Sequence, residues 1–379
     1  MKKILFIGSR LYDDVAYHVD SLGIESILTE SNENAPNLDL PTKYYIVPRG
    51  FDEPMKIAIE EEVDAIIPLI GIDPPLIDVA YMKEKIEKEH NIPVMASPVN
   101  AVTIASDKIK TKEFFKSINL DVPEAKVLNK DDFKDKESFI SKLGFNFPIV
   151  LKQGEGQGGK DICIATEYSQ VKEYFNNFEN ALIEEFIEGA EVSIEVICWD
   201  GKYVPLVPVY KGDTNLEGIH PISRLRLGPC EFEKYDNEDI RKIAKKIAVN
   251  LKCEGTFDID LIYSREKNTV YAIEINTRPS GTRYLSYACT GFSPLNLLID
   301  LAVGECDLDE LESKLQHNYA LEIPIGNYDG PAPNEPVKEY INGNFIVHGP
   351  EGYQRVTITA KSREETYEIA KQLTGNDYS

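Results

Sequence analysis

The sequence predicts an α/β and α+β chain: an open parallel sheet at the N-terminus, then mixed antiparallel strands and helices, then a small C-terminal segment. Strand and helix patterns alternate regularly from Met1 to about Ala105, the order that builds a parallel sheet with helices on both faces. Further on, two strand patterns meet at Asp200-Gly201, a strong two-residue hairpin signal. A second pair of strands, GTFDIDLIYSREKNTVYAIEIN, flanks the polar turn Ser264–Asn268. At 379 residues the chain exceeds what one core usually supports, so two or three domains are expected.

Taken in order, Lys3–Ile7 reads as a first strand, Asp13–Leu22 as a helix stopped by Gly23, and Glu25–Thr29 as a second strand. Lys43–Val47, a helix through Met55–Glu62, strand Ala65–Leu69, helix Pro74–Glu89 and strand Val94–Ala96 complete the alternation. Helix Asp107–Ile118, strand Ala125–Leu128, helix Asp132–Leu143 and strand Pro148–Lys152 follow. A glycine-rich loop then leads to strand Ile162–Ala165, helix Tyr168–Phe175 and strand Ala181–Glu185. Glu191–Trp199 and Tyr203–Tyr210 form the Asp200-Gly201 hairpin, and helix Asn237–Leu251 precedes the hairpin Gly255–Asn276. After Cys306 come proline clusters at Pro331, Pro333 and Pro336, strand Arg355–Ala360 and helix Arg363–Leu373.

Composition narrows the function classes. The apolar share of 42% and charged share of 28% are ordinary for a globular chain. A net charge of −23 repels nucleic-acid backbones and anionic lipid, so neither partner is expected, and any anion must be held by locally placed Lys, Arg and backbone N–H groups. No apolar run reaches membrane-spanning length, and MKKILFIGSRLYDD reads as a strand rather than a signal peptide. Six scattered cysteines without C-x-x-C suggest reduced thiols and a cytoplasmic protein, and with five scattered histidines and no H-E-x-x-H a zinc site is not expected.

The loop Gly154-Glu155-Gly156-Gln157-Gly158-Gly159-Lys160 fits G-x-x-x-x-G-K, yet Asp161 stands where a P-loop needs Ser or Thr, and a strand rather than a helix follows. Between antiparallel strands, such a loop is expected to act as a lid whose N–H groups cover phosphates. In the later hairpin, a turn centred on Glu266 sets Asp258 opposite Glu274 and Asp260 opposite Ala272. The strand period places Glu274 and Asn276 on one face, with Ile273 and Ile275 on the other. Oxygen ligands alone, Asp258, Glu274 and Asn276, suit Mg²⁺, with Mn²⁺ as an alternative, and Asp260 is a candidate second ligand. Arg278 is placed to stabilise charge on a transferred phosphoryl group.

These blocks, ASDKIKTKEFF, FPIVLKQGEGQGGK, LIEEFIEGAEVSIEV and TFDIDLI…YAIEINTRPSG, resemble the ATP-grasp ligases from about Met1 to Gly304. The likeness is nearest to one ATP-binding unit of the carbamoyl phosphate synthetase large subunit, supported by Gly218–His220, while chain size and the closing stretch look like stand-alone amino-acid ligases such as the pyrrolysine-pathway ligase. The resemblance implies a pre-ATP-grasp domain at 1–104, a two-part ATP-grasp fold with a lid subdomain at 105–190 and a metal and nucleotide subdomain at 191–305, and a C-terminal segment at 306–379 packing on the core. It further implies that Lys108 and Lys152 neutralise ATP phosphates, Gly158 and Gly159 cover them, and the backbones of Glu184 and Phe186 meet adenine. Glu191 would bind the ribose, His220 would lie beside the nucleoside, Asp258, Glu274 and Asn276 would bind Mg²⁺, and Arg278 and Lys152 would act in catalysis. The implied activity is ATP-dependent joining of a small carboxylate, first of all an amino acid, to an amine through an acyl phosphate. Bicarbonate or carbamate activation and a non-catalytic ATP-binding regulator are the alternatives. Arg224, Arg226 and Arg283 are candidates to orient the carboxylate, and a homodimer agrees with the resemblance.

Overall fold

The computed structural model describes residues 1–154, 161–216, 224–232, 235–328 and 345–378. Strands β1 (Lys3–Ile7), β2 (Glu25–Glu30), β3 (Lys43–Ile46) and β4 (Ala65–Pro68) form a parallel sheet in the order β3-β2-β1-β4. Each strand of the β1–β2 pair is buried on both faces, as parallel strands are. Ile4 and Phe6 meet α1 (Ala16–Ser21), while Leu5 and Ile27 meet α2 (Asp52–Glu60) and α3 (Leu76–His90). The expected strand Val94–Ala96 shrinks to one bridge from Val94 to Ile66, just after Pro93, which has no N–H to donate.

Helices α4 (Val99–Ala105) and α5 (Lys108–Ser117) lead into a second, antiparallel sheet. It is made of β5 (Ala125–Asn129), β6 (Ile149–Lys152), β7 (Cys163–Ala165) and β8 (Asn180–Glu185), in the order β5-β8-β6-β7. Helices α6 (Lys136–Leu143) and α7 (Tyr168–Asn177) cover it with Phe139, Leu143, Val171 and Phe175. The glycine loop joins antiparallel β6 and β7, and its residues 155–160 lie outside the described ones.

The third sheet carries the site. It is built from β9 (Ala190–Trp199), β10 (Lys202–Pro205), β11 (Val209–Asp213), β12 (Arg226–Gly228), β13 (Gly255–Ser264), β14 (Thr269–Asn276), β15 (Tyr319–Gly326), β16 (Phe345–His348) and β17 (Gln354–Ala360). The order is β14-β13-β9-β11-β12-β15-β17-β16, with β10 also on β9. Asp200 and Gly201 both take positive φ, as the two-residue hairpin requires. The expected strand Tyr203–Tyr210 is instead split into β10 and β11, because Pro205 and Pro208 bring no N–H to the ladder.

Amphipathic α8 (Asn237–Leu251) buries Ile240, Ala244, Ile247 and Leu251 against Val192, Ile194, Val196, Phe257, Ile259 and Leu261. That packing takes one face of β9 and β13, so the alternate residues Glu191, Ser193, Glu195, Asp258 and Asp260 share the other. Beyond β14, α9 (Arg283–Thr290) and α10 (Pro294–Val303) return to the core, where Leu295, Leu298 and Ile299 pack on Ile4 and Phe6 of the first sheet. α11 (Leu308–Lys314) lies on β10, and α12 (Arg363–Thr374) covers the sheet extension made by β15–β17.

Gly255 opens β13 at φ +78, where a Cβ would meet the Met95 carbonyl oxygen at 2.6 Å. Gly255→Ala should therefore lower unfolding free energy by about 1–3 kcal/mol in a urea titration. An unchanged midpoint and slope would show that this approach is not tight.

Candidate active site

Cations stand on one side of the site. Asp107 caps α5 by accepting from the N–H groups of Ile109 and Lys110, which fixes Lys108 in the first turn. Lys112, four residues on, shares the face of Lys108. Lys112 Nζ lies 2.9 Å from one Glu184 carboxylate oxygen, and Lys152 Nζ lies 2.7 Å from the other. All three side chains are buried. Burial pushes Glu184 up, but the charges of Lys152 and Lys112 outweigh it and hold the carboxyl below its ordinary range. The main chain of Glu184 runs in β8 between paired β5 and β6, so its side chain rather than its backbone is what meets the lysines. The Phe186 N–H donates to the Pro148 carbonyl at 3.3 Å.

Acids stand on the other side, in a register that differs from the expected one. Asp258 pairs with Asn276, and Asp260 with Glu274, while Ala272 lies opposite Leu261. The ladder shifts by one residue between Asp260 and Leu261, leaving Ile273 as the extra residue of β14. Sequence symmetry about Glu266 does not foresee this bulge. Its effect is to keep Val270, Ala272 and Ile275 on the core face while Glu274 and Asn276 face the acid side. Asp258 and Glu274 are thus diagonal neighbours, not direct partners, and Asp260 takes the direct place.

Contacts in this row are tight. Ser193 donates to Asp258 Oδ1 at 2.5 Å, Lys211 pairs with Asp260, and Lys108 Nζ stands 3.8 Å from Glu274. Burial, then the charge of Asp260, pushes both Asp258 and Glu274 above the usual carboxylate range. Arg278, two residues past β14, donates from Nη2 to the Asn276 amide oxygen at 3.2 Å and from Nε to Asp73 at 2.6 Å. Asp73 follows β4 near the carboxyl end of the parallel sheet, where open sheets bind ligands. Beneath the row lies Glu195, fully buried and directly opposite Asp258 in register. It is pushed up to about 8 by burial and by the Asp258 charge.

Glu191 sits at the end of the same face, ion-paired with Arg224 at 2.8 Å. Arg226 pairs with buried Glu322 at 2.9 Å and Arg283 with Asp14 at 2.7 Å, so each of the three arginines expected to orient a carboxylate meets an acid of this chain. Gly158, Gly159 and His220 lie outside the described residues. Five residues escaped the sequence reading as site members: Lys112, Ser193, Glu195, Lys211 and Asp73. Two kinds of spacing could have found some of them: helical spacing from Lys108 for Lys112, and strand alternation from Glu191 for Ser193 and Glu195. Lys211 and Asp73 arrive from other elements and carry no local signal.

Among the described residues, no three Asp, Glu, His or Cys side chains group closely enough to hold a metal ion by themselves. The acid row nevertheless fits a divalent cation that completes its shell with phosphate oxygens. Its donors are all oxygen, and its carboxyls repel one another in a buried setting that added positive charge would relieve.

Residues 105–282 match the ATP-grasp domain family. The chain is 55% identical to a carbamoyl-phosphate synthase of Methanobrevibacter smithii, over 98% of this chain and 100% of that one. This chain belongs to the ATP-grasp ligases. It is an enzyme of the class that forms carbon–nitrogen bonds. Its fold superposes on the biotin carboxylase domain of Hydrogenobacter thermophilus 2-oxoglutarate carboxylase, solved with MgADP, ADP and bicarbonate, at TM-score 0.75 and 18% identity, covering 99% of this chain and 90% of that one. An L-amino acid ligase from Bacillus licheniformis gives the same TM-score of 0.75 at 18% identity, over 99% and 97% of the two chains. The ligase fold is therefore common to enzymes with different substrates. No described helix of this ligase is long and apolar enough to cross a membrane.

The buried triad gives the ligase a measurable signature. Lys112→Ala leaves Glu184 with one cation fewer and should cost about 3–5 kcal/mol in chemical denaturation, the range for breaking a buried pair. A loss below about 1 kcal/mol would mean that water replaces the lysine. The raised carboxyls fix a pH trend as well. Folded Glu195 keeps a proton that the unfolded chain releases above its ordinary value, so the stability it contributes is present at acid pH and falls as pH rises toward about 8. In metal-free buffer the Tm of the parent should decline across this interval more steeply than that of Glu195→Gln. Equal slopes would refute the shift.

Proposed function

We propose that this ligase activates bicarbonate with ATP and aminates the product with ammonia, leading to carbamoyl phosphate. The observation that carries the reading is the 55% identity to a carbamoyl-phosphate synthase over 98% of this chain and 100% of that one. It favours bicarbonate over an amino acid as the carboxylate. The arginines that would grip a larger acid also support it, since Arg224, Arg226 and Arg283 are each paired with a carboxylate of the chain.

Lys108 and Lys152 neutralise the triphosphate, with Gly158 and Gly159 covering it, and Glu191 and His220 flank the nucleoside. Phe186, just past β8, borders the adenine, while the Glu184 side chain orients Lys112 and Lys152 rather than lending its backbone to the base. Asp258, Asp260, Glu274 and Asn276 would hold Mg²⁺, which when bound supplies charge neutralisation at the transferring phosphoryl group. A bicarbonate oxygen attacks the γ-phosphorus, the bond to the ADP oxygen breaks, and carboxyphosphate forms. Arg278 spends its Nε and one Nη on Asp73 and Asn276, which leaves N–H groups to hold the acyl-phosphate oxygens. Ammonia then attacks the carbonyl carbon, phosphate departs and a proton is lost, giving carbamate. Because this step discards the first phosphate, carbamoyl phosphate requires a second phosphoryl transfer from another ATP to a carbamate oxygen. Among the described residues there is one acid hairpin, and the reading assigns both transfers to it.

ADP release should require bicarbonate, rise further with ammonia, and reach two ADP for each carbamoyl group trapped. Replacing bicarbonate with pooled amino acids should not support turnover, and amino-acid-dependent ADP release without bicarbonate would transfer the assignment to a peptide-type ligase. Glu274→Gln should lower turnover about 100-fold or more with the Tm preserved. Undiminished activity in that variant would remove the metal assignment.

A further inference from the structure

Loop 277–282, which carries Arg278, has no regular structure of its own, yet most of it is buried. Arg226 and Arg283 donate to its Gly281 and Ser280 carbonyls at 3.0 and 3.3 Å, and a set of buried polar bonds fixes its inner side on β9. The Ser280 N–H donates to Glu195 Oε1 at 3.0 Å. The Ser280 hydroxyl lies 2.8 Å from the Thr282 hydroxyl, and the Thr282 N–H donates back to Ser280 Oγ at 3.0 Å. Thr282 Oγ1 is 3.3 Å from Ser193 Oγ, which donates to Asp258. A continuous hydroxyl chain thus runs from Asp258 through Ser193 and Thr282 to Ser280, and Glu195 closes it from below. The Glu195 carboxyl accepts from Ser280 and neighbours the Ser286 hydroxyl, but among the described residues no cation is paired with it, an expensive placement for a fully buried acid. Packing alone would favour an apolar residue there, as at Val192, Ile194 and Val196 on the opposite face.

We propose that Glu195 is a positioning residue for phosphoryl transfer: by fixing the Ser280 N–H, it sets the distance between the loop bearing Arg278 and the acid row at Asp258. The inference rests on the roles given above to Arg278 and Asp258. Glu195 touches neither nucleotide nor substrate and acts through the loop. Loss of its acceptor lets the guanidinium move relative to the phosphoryl group while the lysines that bind ATP stay in place on α5 and β6.

Steady-state kinetics of the full chain with ATP, Mg²⁺ and bicarbonate, together with thermal melts, test this. Glu195→Ala should lower kcat by about 100-fold, the cost of an ångström-scale misplacement, with KM for ATP within about twofold of the parent. Glu195→Gln keeps an oxygen for the Ser280 N–H and should recover kcat to within about threefold of the parent. Thr282→Val preserves shape while cutting the hydroxyl chain. Should Glu195→Ala fail to fold, that variant carries the test, with kcat down about tenfold and KM for ATP unchanged. The inference is overturned if Glu195→Ala, or failing it Thr282→Val, keeps the parent kcat, if Gln is as damaging as Ala, or if the loss appears in KM for ATP alone. Loss of ADP release in Asp258→Asn and Arg278→Ala with full activity in Glu195→Ala would sink this inference only. Full activity in Asp258→Asn and Arg278→Ala would sink the site reading on which it rests.

Discussion

Carboxyl groups crowded onto adjacent rungs of a buried sheet repel one another, and the architecture around them is arranged to answer that repulsion. Asp258, Asp260, Glu274 and Glu195 lie on neighbouring strands of one face. Lys211, Lys108 and Arg278 supply positive charge around them, each from a separate element. The balance is incomplete within the chain, since burial and mutual repulsion still hold Asp258 and Glu274 above the usual carboxylate range. A row left in that condition is suited to a ligand that brings its own positive charge.

The opposite half of the site solves the mirror problem. Lys112 and Lys152 converge on a single buried carboxylate, Glu184, which holds the two cations apart and fixes their orientation. Between the two halves, Arg278 is tied both to Asn276 and to Asp73 after β4. The first sheet is thereby linked to the acid hairpin by a side chain, and to the third sheet by the packing of α10 on Ile4 and Phe6. Catalysis in this family class needs charge placed in advance more than it needs reactive side chains, because the phosphoryl group carries the reactivity.

Much of this was legible in order along the chain. Helix Asn237–Leu251 follows its apolar stripe from end to end, and the Asp200-Gly201 turn joins the strands that flank it. Alternation in EVSIEV sorts Val192, Ile194 and Val196 from Glu191, Ser193 and Glu195, and the structure keeps that division. It also makes the polar face buried at Ser193 and Glu195, which alternation cannot say, since one strand does not reveal what covers each of its sides. The hairpin register departs from the expected one for a similar reason. A turn centre gives pairing only if both strands are regular, and the bulge at Ile273 arises because Val270, Ala272 and Ile275 must all reach the α8 side.

By itself the sequence determined the element types, the oxygen-only character of the acid hairpin, and the pairing of a glycine loop with a preceding lysine, because each depends on neighbours within a few residues. Tertiary structure alone decided which acids face one another, that Glu184 serves two lysines with its side chain, and that Glu195 lies under the Arg278 loop. Those facts depend on groups far apart in the chain, brought together by the burial of apolar faces that say nothing of their polar partners.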